Sequence, residues 1–295
     1  MKNKNITKKQ HIIPASYIAQ FSSFKEKELR KSKIFYYDLR SQKILEEKAE
    51  KLLYEDWYFD FDIFMNKYDN QVNLVEKQIW KLESEYIRTI NKDFSEINNE
   101  DKNVILHYML HLYMRTPKIR QGIQEEFFEK MNTKYKNQKD INQQKQHLKS
   151  IWKDPNIFDK INTIDWKKEI WKFIHSISVL WYMYPNETYK AQLYIFNKYN
   201  YYPIKTKNGK EFISWDHPIV YGSKIIVFPI NSKNCLIWIN KEIYVKQIKL
   251  SIDFINRIVA SNSKNIIFWS NKDLVEKYKL FIINKDLLSL RYLDK

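Results

Sequence analysis

Four groups of residues in this chain have the types and spacing to do chemistry. His107, His111 and Arg115 recur every fourth residue. A helix would carry them as one stripe that drifts by roughly 40° per step. Two histidines one turn apart can share a metal ion, as in HExxH helices. This stretch reads HYMLH, so the glutamate base is missing. An arginine beside the pair favours an anion over a cation, so no metal site is expected. Asp216-His217-Pro218 closes the run FISWDHPIV. Aspartate can orient an imidazole or hold an arginine, and histidine titrates near neutral pH. The competing reading is an aspartate capping a turn that the proline shapes. Gln10-His11 stands where the basic tail MKNKNITKK becomes an apolar segment. Taken alone, such a histidine reads as polar surface. Glu76 and Glu83 lie two turns apart on one helix side, and buried carboxylates there need partners. Arg115 is the natural one, and a Glu–Arg pair is more often a structural tie than a catalytic device.

The elements that must position these residues fall into three zones. About 10–65 mixes apolar pairs with aromatics: KIFYYDL (33–39) has strand composition, and EEKAEKLLYEDWYF (46–59) opens helically. About 66–183 is helical. Val72, Val75, Ile79, Leu82, Tyr86 and Ile90 mark one helix face. A second helix starts after Asn98-Asn99-Glu100-Asp101 and runs to a break at Pro117. The segment 132–149 is polar and lysine-rich, and 163–183 reads as another amphipathic helix. About 190–295 supplies strands. Asn208-Gly209 is the hairpin signal, KIIVFPI and NCLIWI read as strands, and two helices flank the short strand NIIFWS. The expected fold is α+β: a mainly helical N-terminal and middle part packed against a small antiparallel β-meander in the C-terminal third. Residues 1–9 form a basic tail and 10–295 a single domain, helical over about 66–183 and strand-containing over about 190–295.

Composition narrows the function classes. The chain has 295 residues, 44% of them hydrophobic and 16% aromatic, enough for a large core. It holds only three glycines, Gly122, Gly209 and Gly222, so neither a Walker loop nor a dinucleotide fingerprint is present. Cys235 is the single cysteine, which rules out an internal disulfide, and it reads as a buried strand residue. No apolar run is long enough to span a bilayer and no signal-peptide core follows the basic start, so a cytoplasmic protein is expected. The net charge of +16 fits a nucleic-acid partner. It fits equally the lysine, asparagine, isoleucine and tyrosine bias of an AT-rich genome.

Several short motifs then fall into order. Lys8-Lys9-Gln10-His11-Ile12-Ile13-Pro14 is followed by the aromatic segment from Tyr17 to Phe21. Arg115-Thr116-Pro117 closes a mid-chain helix. Phe212 to Pro218 forms a strand end, Phe228-Pro229 follows, and Asn256 sits on a late helix. In this order the chain, from about 8 to 270, resembles the bacterial family filed as domain of unknown function 4238. Members often carry glutamine where this chain has His111, and the residue between Asp216 and Pro218 varies. The resemblance brings no activity with it. It implies that Gln10, His11, Arg115 and Asp216 act as one set.

Such a set suits phosphoryl chemistry without metal: His11 as acid or base, Arg115 on the oxyanion, Asp216 orienting the imidazole. It would equally hold a buried polar junction together. Gln10, His111, His217 and Asn256 are the candidate binding residues, and no cofactor is expected. The function expected is a nuclease-like enzyme acting on RNA or DNA, of a phage-defence or toxin type. The alternatives are a non-enzymatic nucleic-acid or protein-binding module, or an enzyme for a nucleotide or other small molecule.

Overall fold

The computed structural model describes residues 9–56, 74–93, 96–134, 185–207, 209–242 and 250–283, with seven α-helices and ten strands. The strands form three antiparallel sheets. β1 (Lys9–His11) pairs with β4 (Tyr54–Asp56) as a short ribbon. The second sheet has the order β3-β2-β10-β6: Lys43–Lys48, Lys33–Asp38, Ile266–Trp269 and Ser214–Trp215. The third has the order β5-β9-β8-β7: Tyr199–Lys205, Asn234–Asn240, Ile225–Pro229 and Val220–Tyr221. The helices are α1 (Ala15–Ile18), α2 (Leu74–Ile90), α3 (Asn99–Arg115), α4 (Pro117–Lys134), α5 (Pro185–Lys198), α6 (Ile252–Asn262) and α7 (Lys272–Ile283). Among the described residues no helix is long and apolar enough to cross a membrane.

This architecture corrects the expected fold. Strands lie in both the N-terminal and the C-terminal parts, not in one C-terminal meander. The second sheet interleaves them: β10 pairs with N-terminal β2 on one side and with β6 on the other. The start of EEKAEK is strand, not helix. Its glutamates and lysines are helix formers, yet β3 pairs along its whole length with β2, from Lys33↔Lys48 to Asp38↔Lys43. β3 is an edge strand, where charged residues are favoured. Propensity yields to pairing there. Asn208 of the expected hairpin lies outside the described residues; Gly209 adopts φ +70°, and the flanking strands do not pair with each other, since β5 pairs with β9 and β6 with β10. The segments 135–149 and 163–183 lie outside the described residues.

Other elements follow directly from local chemistry. Asn98 caps α3: its side chain accepts from the Asp101 amide at 2.9 Å, and the Asp101 carboxylate accepts from the Asn98 amide at 3.2 Å. Pro117 ends that helix, leaving Thr116 extended, and opens α4.

β8, β9 and β10 lack clean alternation because both of their faces are buried. Ile226, Phe228, Leu236 and Trp238 face one core, which also holds Tyr17, Tyr86 and Tyr108. Ile225, Val227, Cys235, Ile237 and Ile239 face a second core with α6. β10 divides the same way, Phe268 to the first and Ile267 and Trp269 to the second. Cys235 is buried, and burial pushes its thiol up, so it stays protonated. Tyr17 pins α1 to this frame by donating to the Pro229 carbonyl at 2.6 Å while its ring stacks on Phe228.

Candidate functional site

The polar residues singled out in the sequence gather at two centres, one on each side of the α3–α4 break. The first is a buried junction. β1 places Gln10 fully inside and His11 opposite Tyr54. The His11 Nε2–H donates to the Glu50 carbonyl at 3.1 Å, which fixes the neutral tautomer with its lone pair on Nδ1. Burial lowers the pKa of this imidazole, and Arg115 lowers it further against the opposing effect of the Glu50 bond. Arg115, almost wholly buried at the end of α3, donates to the His11 carbonyl. Its Nη1 lies 3.7 Å from Glu83 Oε1 on α2, and Ser16 Oγ donates to the other Glu83 oxygen at 2.9 Å. One arginine thereby ties β1, α2 and α3, and through Glu83 also α1. The Glu83–Arg115 partnership expected from spacing is present. Glu76 has no described side chain.

His111 lies one turn before Arg115 and is buried. Neither of its ring nitrogens has a hydrogen-bond partner among the described residues. Burial, then the charges of Arg115 and His107, hold its pKa well below the ordinary histidine value. Among the described residues no group of three or more His, Cys, Asp or Glu is placed to hold a metal ion.

The second centre is the end of β6. The Asp216 carboxylate accepts from the Lys264 amide at 3.1 Å, from the Asn265 amide at 2.9 Å and from Asn265 Nδ2 at 2.8 Å. Burial raises its pKa despite these bonds. Asp216 therefore clamps the turn between α6 and β10, and none of its hydrogen bonds reaches His11 or Arg115. Asn256 is a similar tie. Its Nδ2 donates to the Glu211 carbonyl at 2.8 Å and its Oδ1 accepts from the Ile213 amide at 3.2 Å, on either side of the Phe212 amide, which donates to the Ser232 carbonyl at 2.8 Å.

His217 faces the other way. Its Nε2 accepts from the Lys118 amide, in the first turn of α4, at 3.3 Å. Burial and the charges of Lys118 and Lys264 push its pKa down to about 3. A neutral ring that accepts at Nε2 carries its proton on Nδ1. His217 lines a cleft of about 210 Å³ together with Tyr113, Lys118, Trp215, Tyr221, Ser261, Asn262 and Lys264. None of its lining residues is acidic. Neither lysine ammonium is in an ion pair with a described residue. The Trp215 Nε1–H is buried without a partner among the described residues.

The structure thus joins His11, Arg115 and Glu83 in one junction, with Gln10 buried next to His11 in β1, and it ties Asp216 to the turn between α6 and β10 and Asn256 to the chain entering β6. The orienting bond from Asp216 to His11 is absent. Sequence reasoning misses Lys118, Lys264, Tyr113 and Tyr221. Lys118 does follow Arg115-Thr116-Pro117 directly, and SNSK (261–264) is a polar run closing an apolar helix. Each is a short step along the chain from a motif that the sequence does display.

With this geometry in hand, the chain belongs to the family of proteins of unknown function DUF4238, whose model matches residues 9–273. No curated protein matches the chain, and neither does any solved structure.

Proposed function

We propose that this member of the DUF4238 family binds nucleic acid, seating backbone phosphates in the cleft beside His217. The observation that carries this reading is the cleft's one-sided charge. Lys118 and Lys264 flank it without ion-pair partners among the described residues, and no carboxylate lines it. Lys118 also stands in the first turn of α4, where the helix dipole favours an anion. His217 takes part as a donor. Its Nε2 is occupied by Lys118, and its low pKa keeps the ring neutral, so Nδ1–H is the group it offers. The net charge of +16 adds long-range attraction. The test is oligonucleotide binding across a salt series. A steep fall of affinity with salt is expected, and no binding at low salt overturns the reading.

Nuclease activity is the second reading, and the His11 tautomer favours it. A neutral imidazole with its lone pair on Nδ1, next to a buried guanidinium, has the form of a metal-independent base. Purified protein incubated with RNA and DNA, with and without EDTA, beside a His11→Ala control, decides it. Cleavage that survives EDTA and is lost with His11 is the expected result. In a cytoplasmic effector role of the defence or toxin kind, the same variant would relieve growth arrest on expression.

A further inference from the structure

The cationic cleft shares part of its wall with a second hollow. Tyr113, Ile219 and Tyr221 line the cleft, and the same three residues line this apolar hollow of about 140 Å³. The floor of that hollow is buried: Met109, Met114 and Ile195. Its rim is aromatic and open, with Tyr194 50% exposed and Tyr221 42% exposed. The Tyr113 and Tyr221 rings sit 5.3 Å apart at that shared wall. Lys198 Nζ lies 3.1 Å from the Tyr194 hydroxyl, which puts positive charge at the far rim as well.

Resting on the nucleic-acid reading above, we infer that the hollow is a base-stacking subsite and that the ligand is single-stranded. A phosphate held by Lys118 and Lys264 leaves its attached base beside Tyr113 and Tyr221. An apolar floor with tyrosine faces at the rim accepts the flat face of a base without reading its edge. Paired bases cannot enter, because their faces are covered by the stack. Charge at both ends and apolar surface between them fit a strand that alternates phosphate and base. A fully apolar ligand would leave the lysines unused, and a simple anion would leave the hollow unused.

The experiment measures binding of the full chain by fluorescence anisotropy to three probes of equal length. These are a single-stranded oligonucleotide, the same strand made abasic, and a duplex. The intact single strand is expected to bind tightest. Tyr221→Ala is expected to weaken it by roughly 5- to 150-fold, the range for one stacked base, while leaving the salt slope unchanged. Tyr221→Phe keeps the ring and should bind like the parent. Tyr194→Ala, at an exposed rim position, guards against a folding artefact at Tyr221. Equal affinity for the intact and abasic strands, with a steep salt slope, overturns stacking and leaves the phosphate reading standing. Equal affinity for the duplex also overturns it. No binding of any probe at low salt removes the nucleic-acid reading and this inference together.

Discussion

Asp216 and His217 are chain neighbours that bond to opposite sides: the Asp216 carboxylate accepts from the amides of Lys264 and Asn265, while His217 Nε2 accepts from the amide of Lys118. The strand end of β6 therefore holds two separate pieces of backbone at a fixed span, and those pieces carry the two lysines of the cleft. Asp216 fixes the backbone of the turn that carries Lys264.

Removing that clamp should loosen one wall. Asp216→Ala leaves two backbone amides and the Asn265 side-chain amide without their acceptor and is expected to lower stability by about 1–3 kcal/mol. Hydrogen exchange at the Lys264 and Asn265 amides should rise. Unchanged exchange there would mean that the turn holds its shape without the carboxylate.

The buried His111 ring is expected to be a burden on the fold. His111→Leu replaces a ring whose two nitrogens are unbonded among the described residues by an apolar side chain of similar bulk, and should stabilise the protein by about 1 kcal/mol. Urea denaturation at neutral pH measures it. A loss of stability would show that the imidazole has a role the structure alone does not express.

Acid should unfold the chain through its histidines. His11, His111 and His217 all have lowered pKa values in the folded state, that of His217 at about 3. In the unfolded chain each takes up a proton near pH 6.5. Below that pH the unfolded state binds more protons, so stability is fully present above about 6.5 and falls on acidification. For His217 the fall continues toward pH 3, at up to about 1.4 kcal/mol per pH unit. The stability–pH slope of His217→Gln should be shallower than that of the parent between pH 6 and about 4.

The Arg115 junction should respond asymmetrically. Arg115→Met strands the Glu83 carboxylate and the His11 carbonyl, at an expected cost of about 3–5 kcal/mol. Adding Glu83→Leu should recover part of that loss, because the stranded charge goes with it. A double variant as unstable as the sum of its parts would show that the pair is not coupled.

Charge reversal tests the cleft directly. Lys118→Glu and Lys264→Glu should each weaken oligonucleotide binding and reduce the salt slope by about one unit for each phosphate that is no longer neutralised. Lys33→Glu, on an exposed residue of β2 paired with Glu46, is the control that should leave both unchanged.

Much of this architecture is legible in the residues. α2 shows in its apolar period, α3 in its Asn98 cap, the α3–α4 break in Pro117, and β8, β9, α6 and β10 in their composition. What stays hidden is pairing at a distance. β3 is written in helix formers, and only β2 beside it makes it a strand. Asn208-Gly209 is a turn signal in the sequence, but which strands the flanking segments join depends on β9 and β10, far along the chain. The site divides in the same way. Glu83 and Arg115 meet because two adjacent helices bring them together. His11 and Asp216 do not meet, because nearer backbone groups satisfy each of them first.

The strands with two buried faces set a parity rule for damage. In β9 the even-numbered Leu236 and Trp238 belong to one chamber, and the odd-numbered Cys235, Ile237 and Ile239 to the other. Moving a truncation by one residue moves the void to the opposite chamber. A backbone lesion has no such choice, because a proline in the middle of β9 breaks a wall that both chambers share.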